Sequence, residues 1–469
     1  MRNSYDIAII GAGPAGMSAA ITAVKAGSTV VVLDDKKQAG GQIYRNVSHS
    51  PLPNPESLGS DYTKGRSLVA EFEASGVIAL WESTVWHVGD KGEILFSQKG
   101  VTKSLTAREI IISCGAMERP FPVPGWHLPG VMSAGSAQVM LKNDAMVRDN
   151  AVFVGTGPLL YLIVAQYIRL GVEVKALVDT TPLSSYTGSA PYFPGALAHA
   201  RMLVKGMGLL NEIRKAGVTV YRFAENIAIE GDTEAKSIKF NCGGSQIKFS
   251  AEHVFLHQGV IPNLNMTRSL GVDHHWCAQQ LCWKPTLDIW GESSVASIAV
   301  AGDCSGIVGA DAAVDMGRVV ALQRLVRLDL ITEKIRDQLA ADALARIKKL
   351  NRFRKFIDRL YRPQDLHRIP QQEDTVVCRC EEQTVGQLKA GFDAGANGPD
   401  ELKGLTRCGM GPCQGRQCGH TVSELLAQWR GVTVSDIGYY RLRSPMRLLN
   451  LSELSQFTHV APGYTEEKS

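Results

Sequence analysis

The sequence predicts an α/β fold in which two units of parallel strands and helices are followed by a small helical domain. Two observations predict the units: an apolar segment leads into a glycine-rich turn at residues 5–16, and the same order of features recurs at residues 151–160. The third observation is a group of cysteines, because five of the ten lie within 41 residues near the C-terminal end. With 469 residues, the chain has room for two or three domains.

The first glycine-rich turn is typical of a dinucleotide site. Gly11 allows the turn, Gly13 lets the backbone approach a pyrophosphate at a helix start, and Gly16 lets that helix pack closely on the strand. A second predicted strand, at residues 29–33, ends at Asp34, which lies 18 residues beyond Gly16. A carboxylate at about this distance binds the adenosine ribose in such units. The segment therefore predicts a complete βαβ nucleotide-binding unit.

Composition and charge narrow the class of protein. The chain is 45% hydrophobic and 20% charged, which is ordinary for a soluble α/β protein, and a net charge of +4 is too small to indicate a nucleic-acid partner. No basic stretch precedes the first apolar segment, so no signal peptide is predicted. The uncharged run at residues 151–168 contains a glycine turn, which favours a buried strand and helix over a membrane span. We expect a cytoplasmic protein.

A second pair of glycines follows Asp34. Gly40 and Gly41 let the backbone pass close to a ligand, and the side chains of Gln42 and Arg45 offer hydrogen-bond donors beside it. The other elements predicted before the second unit are a helix at residues 63–75, strands at residues 77–86 and 93–105, and a buried strand at residues 110–112 that ends at the turn Ser113-Cys114-Gly115.

The second glycine-rich turn departs from the fingerprint at its third position. Gly155 and Gly157 take the first two positions, but Leu160 stands where a glycine would allow close helix–strand packing. The next strand ends at Asp179, which is placed to bind a ribose. Two interpretations stay open: a nicotinamide site, or a dinucleotide fold that no longer binds NAD(P). Residues 181–200, rich in serine, proline and glycine, predict a long loop.

A third segment returns the chain to the first unit. Residues 297–301 predict a buried strand that opens onto Gly302 and Asp303, and residues 312–328 predict a helix. Residues 331–361 predict a longer helix, with apolar residues three or four apart and basic residues on its other faces. Those basic faces fit either a solvated helix or docking onto an acidic partner.

The cysteines near the C-terminal end have the spacing of a metal centre. The pattern is Cys378-x-Cys380, then 32 residues, then Cys413 and Cys418, with Cys408 five residues before Cys413. Clustered cysteines in a chain without an export signal indicate metal or redox chemistry rather than disulfide bonds. Four thiolates suit an iron–sulfur cluster or a zinc ion, and free thiols are the third alternative.

The features of residues 4–330 resemble the two-dinucleotide-domain flavoprotein family typified by glutathione and thioredoxin reductases. The resemblance implies two Rossmann-type domains with FAD in the first, although the usual Ala-Thr-Gly turn appears here as Ser113-Cys114-Gly115. The residues expected to bind FAD are Gly11, Gly13, Pro14, Ala15, Gly16, Asp34, Asp35, Gly41, Gln42, Arg45, Val85, Cys114, Gly115, Gly302 and Asp303.

One part of that family's chemistry is missing. Disulfide reductases of the family carry a cysteine pair beside the flavin-domain glycine pair or early in the second domain. Residues 40–60 and 126–180 contain no cysteine. Dithiol chemistry is therefore not predicted, and no catalytic acid or base can be named from the sequence.

The cysteine motif resembles the [2Fe-2S] domain of bacterioferritin-associated ferredoxin (BFD), in the version fused to flavoprotein dehydrogenase subunits. The resemblance rests on the Cys-x-Cys pair and on residues 406–416, TRCGMGPCQGR. It implies a small α-helical domain whose cluster is held by Cys378, Cys380, Cys413 and Cys418. The alternative is that Cys408 replaces Cys418.

Across nearly its whole length the chain resembles the larger, alpha-type subunits of heteromeric amino-acid and opine dehydrogenases. This group includes the A subunit of opine oxidase, the B subunit of hydrogen cyanide synthase, and the alpha subunits of proline and D-hydroxyproline dehydrogenases. The resemblance is carried by residues 40–45 (GGQIYR), residues 125–130 (GWHLPG) and the cysteine motifs. In that group a beta subunit, itself an FAD protein of the oxidase type, oxidises a C–N bond, and an FMN can lie between subunits.

The resemblance implies an electron relay that works with an FAD-containing beta subunit, and with a small ferredoxin-like subunit, in the cytoplasm or on the inner face of the membrane. The predicted division is an FAD-binding domain at 1–125 with 292–330, a second dinucleotide domain at 126–291, a helical linker at 331–373, a [2Fe-2S] domain at 374–440 and a tail at 441–469. Two other functions stay open. One is a self-sufficient NAD(P)H-dependent flavin and iron–sulfur reductase, and the other is a structural subunit that holds nucleotide.

Overall fold

The computed structural model describes residues 2–89 and 91–456. The first part of the chain contains strands and helices in the predicted order. They are β1 (Ser4–Ile10), α1 (Pro14–Lys25), β2 (Val30–Leu33), α2 (Ser60–Thr63), α3 (Gly65–Ala74), β3 (Ile78–Leu80), β4 (Ser83–Val88), β5 (Glu93–Gln98), β6 (Val101–Ile112) and β7 (Ala116–Glu118), with a 3-10 helix at Pro55–Leu58.

The middle part of the chain forms the second unit. Its elements are β8 (Val131–Ser133), α4 (Ala134–Asp144), β9 (Ala151–Gly155), α5 (Pro158–Arg169), β10 (Val174–Asp179), α6 (Leu183–Ser189), α7 (Phe193–Leu197), α8 (Ala200–Lys215), β11 (Thr219–Arg222), β12 (Glu225–Glu230), β13 (Ser237–Cys242), β14 (Ser245–Ser250), β15 (Val254–His257), β16 (Val260–Pro262), α9 (Asn265–Ser269), β17 (His274–Cys277) and β18 (Cys282–Pro285).

The last part of the chain is mainly helical. Its elements are β19 (Ile298–Val300), α10 (Ala310–Arg327), α11 (Glu333–Leu360), β20 (Val376–Cys378), β21 (Gln383–Thr384), α12 (Val385–Asp393), α13 (Pro399–Thr406), α14 (Gly419–Arg430), α15 (Val434–Ile437) and α16 (Leu451–Ser455). Short 3-10 helices lie at Ala190–Tyr192, Gly302–Ser305 and Asp365–His367. No helix among the described residues has both the length and the apolar character needed to cross a membrane.

The first sheet has seven strands and a parallel centre. Its order is β3-β2-β1-β6-β5-β4, and β19 also pairs with β6. β1 lies parallel to β2 and β6, so their carboxyl ends meet at one edge, next to the first glycine turn. The central strands are continuous apolar runs because both faces of a parallel sheet are covered. On one face, α1 packs against α10.

Two strand predictions in this sheet are wrong. The segment predicted as one strand at residues 77–86 turns at Glu82, whose φ angle is +54°, and its two parts, β3 and β4, lie at opposite edges of the sheet. The chain does not run as a single strand through residues 93–105, since it turns at Lys99 and Gly100, whose φ angles are +53° and +77°. The turn joins β5 and β6 as an antiparallel hairpin. Alternating polarity continues on both sides of this short turn, so the period-2 pattern alone does not mark it.

The second unit has a parallel sheet of order β11-β10-β9-β15-β8 and a separate antiparallel sheet, β12-β13-β14. The long loop predicted at residues 181–200 is also wrong, because the segment forms α6 and α7. These helices are stabilised by packing on α11. The ring of Phe193 lies 5.9 Å from Phe356, and the ring of His199 lies 5.5 Å from Phe353. Tertiary contact thus overrides the turn-forming composition.

The cysteine-rich segment forms its own small core. Leu388, Leu402 and Leu425 lie in that core with the cysteines. A capping box formed by Thr384 and Gln387 begins α12. The chain then returns to the first sheet, where the backbone N–H of Met446 donates to the carbonyl of Trp86 at 2.9 Å. Residues 457–469 of the predicted tail lie outside the described residues.

Candidate flavin and iron–sulfur sites

The first glycine turn admits only glycine at two positions. Gly11 has a φ of +108°, and a β-carbon there would lie 2.5 Å from the carbonyl oxygen of Ser113. A β-carbon at Gly16 would overlap the carbonyl oxygen of Gly11. Pro14 opens α1, and no side chain caps the helix, so its first N–H groups stay available to a pyrophosphate.

The second glycine pair lies directly against this turn. Gly41, with φ of +60°, approaches so closely that a β-carbon there would lie 2.8 Å from the Cα of Gly13. Beyond it, Nη2 of Arg45 donates to Oε1 of Gln42 at 2.8 Å, and the hydroxyl of Tyr62 donates to the carbonyl of Arg45 at 2.8 Å. The structure thus places the predicted Gly41–Arg45 loop beside the fingerprint.

Asp34 lies at the end of β2. Its Oδ2 accepts from the backbone N–H of Ala12 at 2.6 Å, and its Oδ1 accepts from that of Lys36 at 2.8 Å. Each carboxylate oxygen has a second lone pair, so a ribose hydroxyl can also bind. Burial raises the pKa of Asp34 above its usual value, against the effect of these two hydrogen bonds. The neighbouring Asp35 is exposed and forms an ion pair with Lys36 at 3.1 Å.

The third segment also converges on the turn. Gly302 lies against α1, since a β-carbon there would be 2.8 Å from the β-carbon of Ala15. Oδ1 of Asp303 accepts from the backbone N–H groups of Val308 and Gly309 at 2.8 and 3.0 Å. Because Oδ1 takes both of these bonds, Oδ2 is left to accept from a sugar hydroxyl.

The turn after β6, at Cys114 and Gly115, is the last part of the predicted flavin site. Burial raises the pKa of the Cys114 thiol far above its usual value, so Cys114 stays neutral and unreactive. Gly115 has a φ of +66°. Val85 lies in the buried core of the first sheet together with Met446. Glycines that exclude side chains, an uncapped helix start and two carboxylates form a set that fits FAD.

The second glycine turn is filled by the chain's own side chains. Leu160 is fully buried. Asp179, the predicted ribose ligand, accepts from the hydroxyl of Tyr161 at 2.8 Å and from the backbone N–H of Thr181 at 2.9 Å. Burial raises the pKa of Asp179. This arrangement supports the interpretation in which the fold is retained without a nicotinamide.

Sequence reasoning missed a histidine–glutamate pair beside that turn. Nδ1 of His257 lies 2.8 Å from Oε2 of Glu118, whose Oε1 accepts from the backbone N–H of Gly135 at 2.6 Å. His257 is buried and its ring borders Gly157. The pair joins β15 to β7 across 139 residues of sequence, so no local pattern could have connected them.

Three buried cysteines meet in the C-terminal domain. The Sγ atoms of Cys378, Cys408 and Cys418 all lie within 4.8 Å of one another. The hydroxyl of Tyr440 donates to Sγ of Cys408 at 3.5 Å and lies 3.8 Å from Sγ of Cys418. Hydrogen bonds from Cys408 and Cys418 lower the pKa of the Cys378 thiol. A thiolate is thus favoured where a metal ligand is needed.

The other two predicted ligands, Cys380 and Cys413, are half-buried. Burial raises the pKa of the Cys413 thiol, and a hydrogen bond with the Cys380 thiol adds to the effect, so these two sulfurs are neighbours. Gly411 packs against Cys380 with no room for a β-carbon. The five cysteines thus form a buried group of three and a half-buried pair, and Cys408, the predicted alternative ligand, belongs to the buried group. Thiolates so arranged fit a [2Fe-2S] cluster or a zinc ion.

The cysteine loop packs directly on the flavoprotein part of the chain. Nδ2 of Asn265, at the start of α9, donates to the carbonyl of Gln414 at 3.2 Å. The next residue of α9, Met266, places its sulfur 4.0 Å from Sγ of Cys114. A single short helix thus touches both the cysteine loop and the turn predicted to border the flavin.

Aromatic and cationic side chains fill the rest of this interface. The guanidinium of Arg268 lies 4.8 Å from the ring centre of Trp283 and 4.6 Å from that of Tyr439. Arg416 donates to the carbonyls of Cys413 and Met446 at 3.0 and 2.8 Å. The cysteine domain is therefore packed against α9 and β18 rather than tethered by a free linker.

Known protein families match both the dinucleotide-binding units and the cysteine-rich segment of this chain. Residues 5–317 match the family model described as pyridine nucleotide-disulphide oxidoreductase, and residues 376–428 match that of the BFD-like [2Fe-2S] binding domain. The chain is 39% identical over 471 residues to the A subunit of opine oxidase from Agrobacterium tumefaciens (strain Ach5), and the match covers 98% of this chain and 93% of the relative. This chain belongs to the family of opine oxidase A subunits.

Two further similarities extend over the chain. Hydrogen cyanide synthase subunit HcnB of Pseudomonas aeruginosa is 28% identical over 451 residues, with 93% of this chain and 96% of the relative covered. The crystal structure of L-proline dehydrogenase from P. horikoshii has a TM-score of 0.69 at 18% identity, and the match covers 97% of this chain and 80% of that one. At this identity the structural match shows a shared fold.

The matches confirm the predicted fold class, with Rossmann-type oxidoreductase domains followed by a BFD-like domain. They imply FAD and a [2Fe-2S] cluster as cofactors, and they support a multi-subunit flavin and iron–sulfur dehydrogenase. Because the relatives are named as subunits, partner subunits are implied as well.

Proposed function

We propose that the chain is the electron-transferring flavoprotein and iron–sulfur subunit of a dehydrogenase that oxidises an amino acid, imino acid or opine at a C–N bond. Substrate oxidation takes place in a partner subunit that carries its own FAD. The observation that carries the proposal is the contact through α9, which joins the cysteine loop at Gln414 to the turn at Cys114. A relay needs its two redox sites close together, and this contact brings the cysteine loop next to the turn predicted to border the flavin.

In the described part of the chain, the candidate sites show neither a reactive dithiol nor an open nicotinamide site, which supports an electron relay over a self-sufficient reductase. Cys114 and Cys304 lie beside the first glycine turn, but burial raises the pKa of both thiols far above the usual value, so neither favours the thiolate that dithiol exchange needs. The Tyr161–Asp179 hydrogen bond engages the carboxylate that a nicotinamide dinucleotide would need. The self-sufficient NAD(P)H reductase is therefore the weaker proposal. A purely structural subunit does not account for the assembled cysteine site.

In this proposal each part of the chain has a defined task. The start of α1 binds the pyrophosphate of FAD, and Asp34 and Asp303 bind its sugar hydroxyls. Cys378, Cys380, Cys413 and Cys418 hold the cluster. Bound FAD supplies electron acceptance in pairs, and the cluster supplies single-electron transfer. Asn265 holds the cysteine loop against α9, and Arg416 joins that loop to Met446. An FMN at the subunit interface would join the two subunits' redox sites.

The proposal is tested by reduction with substrate in the presence and absence of a second chain. The chain is produced alone and together with a candidate beta subunit, an FAD protein of the oxidase type. L-Proline and an opine are then offered without oxygen, and the flavin absorbance is followed. We expect bleaching only in the two-chain complex. Bleaching by substrate with this chain alone would overturn the division of labour, whatever the cofactor content.

A further inference from the structure

An arginine of the cysteine loop reaches toward the flavoprotein part of the chain. Nη1 of Arg416 donates to the carbonyl oxygen of Cys413 at 3.0 Å, and its Nη2 donates to that of Met446 at 2.8 Å. Met446 lies in the buried core of the first sheet, and Cys114 packs against the same core. The guanidinium therefore connects a predicted cluster ligand with the turn predicted to border the flavin.

This guanidinium has no acidic partner among the described residues. Both of its hydrogen bonds go to main-chain carbonyls, and its buried Nε atom has no partner in that part of the chain. The groups that act most strongly on its charge are the guanidinium of Arg447, the thiols of Cys413 and Cys114, and the hydroxyl of Tyr439. Burying a cation without a counter-charge is costly, so an anion is expected beside it.

A second arginine, on α9, faces the same loop. The guanidinium of Arg268 lies over the ring of Tyr439, and its Nε and Nη2 atoms are buried without a hydrogen-bond partner in residues 2–89 and 91–456. In the same residues, Tyr439 is the one titratable group that acts strongly on Arg268. The hydroxyl of Tyr439 donates to the carbonyl of Gly415 at 3.3 Å, so this ring borders the cysteine loop. Two cations without a carboxylate partner thus lie beside one loop of cysteines.

The anion that fits this position is the predicted cluster. Four thiolates and two sulfides outweigh the charge of two iron(III) ions, so a [2Fe-2S] cluster is negative when oxidised and more negative when reduced. A cation nearby therefore stabilises the reduced form more than the oxidised form. We propose that the charge of Arg416, with a smaller contribution from Arg268, raises the reduction potential of the cluster. This inference rests on the proposed function, because it needs a redox-active cluster on the cysteines.

The electron step adds one negative charge beside Arg416 and moves no proton. One iron(III) ion becomes iron(II), and the electron comes from the reduced flavin in the relay and from dithionite in the test. A guanidinium keeps its positive charge at neutral pH, so Arg416 compensates the added charge without taking up a proton. Electron flow from the flavin to the cluster is thereby favoured. A tenfold change in the equilibrium constant of this one-electron step corresponds to about 59 mV.

The test compares Arg416→Met, Arg416→Gln and Arg416→Lys with the unchanged protein, each purified with its cofactors. Arg443→Met, which alters an exposed arginine near the cysteine domain, is the matched control. The midpoint potential of the cluster is measured with dithionite and reference dyes, and electron paramagnetic resonance reports the reduced cluster. We expect Arg416→Met and Arg416→Gln to make reduction of the cluster about tenfold less favourable. Arg416→Lys and Arg443→Met should stay within about threefold of the unchanged protein.

Two further readouts separate a charge effect from a structural one. Iron content and circular dichroism are measured for every variant, because Arg416 also joins the cysteine loop to Met446. A merely structural role would lower the iron content and leave the potential of the remaining cluster unchanged. Lysine restores the charge but not the fork of donors that reaches two carbonyls at once. Recovery of the potential in Arg416→Lys therefore identifies the charge as the cause.

Each other outcome has a distinct meaning. An unchanged or higher potential in Arg416→Met with normal iron content would overturn the inference. Equal potentials in Arg416→Lys and Arg416→Met would assign the effect to the hydrogen bonds and overturn it as well. If the Arg416 variants do not retain iron, Arg268→Met decides. Its potential should be lower than that of Arg443→Met, and equal potentials would overturn the inference. Zinc, or no metal, in the unchanged protein would instead defeat the proposed function.

Discussion

The two glycine turns of this chain begin in the same way and end with opposite results. In the first, Gly13 has a φ of −76° and Gly16 lets α1 lie against the backbone of Gly11. In the second, Gly157 has a φ of +113° and Leu160 is buried where Gly16 would stand. One βαβ frame thus keeps a backbone cradle for a ligand, whereas the other uses the same place for core packing.

The acidic residues that follow the two turns, Asp34 and Asp179, also differ in whether they remain available to a ligand. Asp34 is half-buried and bonds only to backbone N–H groups, which leaves lone pairs for a ribose. Asp179 is 5% exposed and is held by the hydroxyl of Tyr161 on the adjoining helix. A repeated fold therefore does not imply a repeated binding site. In the second turn, Leu160 at the third glycine position and Tyr161 next to it change which ligand the pocket can hold.

The largest expected effect is at the third position of the first turn. Gly16→Ala places a β-carbon on the carbonyl oxygen of Gly11 and should reduce bound FAD to less than about a tenth, since the helix must move away from the pyrophosphate. FAD released by heat is measured against protein concentration. Gly206→Ala, on α8 with open space around it, is the control and should keep its FAD. Full FAD content in Gly16→Ala would remove the main difference between the turns.

The next largest effect is expected at the cysteine site, which in the proposal takes electrons from the flavin bound at the first turn. Cys378→Ser and Cys380→Ser should each lose most of the iron, because a two-iron cluster needs four protein ligands. In the proposed set Cys408→Ser keeps its iron and Cys418→Ser does not, which iron analysis and visible absorbance can check. Cys277→Ser, outside the cluster domain, is the matched control.

The reverse result for Cys408 and Cys418 would exchange these two ligands. Zinc in place of iron would contradict the relay, because zinc cannot accept an electron from the flavin at the first turn.

A smaller effect is expected inside the second turn. Tyr161→Phe removes a hydrogen bond to a buried carboxyl group and should lower the free energy of unfolding by about 1–3 kcal/mol. Urea unfolding measures the change. Tyr192→Phe, whose ring is exposed, should change it by less than about 0.5 kcal/mol. The FAD content of Tyr161→Phe should stay normal. A loss of FAD would show that the two turns do not act independently.

The smallest expected effect is the response to nicotinamide. NADH or NADPH added without oxygen should leave the flavin absorbance unchanged for minutes, while dithionite bleaches it at once. The reason is that Leu160 and the Tyr161–Asp179 bond take the places that a second dinucleotide needs. Rapid bleaching by NADH would make the two turns equivalent and would restore the self-sufficient reductase as the better proposal.

Local patterns predicted most of the elements and failed in three places. The apolar runs and glycine spacings gave β1, α1, β2 and their counterparts at β9, α5 and β10. The turns at Glu82 and Lys99 and the helices α6 and α7 were missed. At Lys99 the alternating pattern runs through the turn, and α6 and α7 owe their stability to α11, far along the chain. Neither cause is present in a short window of sequence.

The sequence by itself determined the kinds of site, and the tertiary structure decided how they are completed. Glycine spacing and cysteine spacing are local, because a turn or a ligand loop is built from neighbouring residues. The grouping of Cys408 with Cys378 and the approach of Lys142 to Gln42 depend on packing between distant segments, and the bond between Tyr161 and Asp179 depends on how α5 packs against β10. Burial sets the electrostatic strength of such contacts, and only the fold determines which groups are buried together.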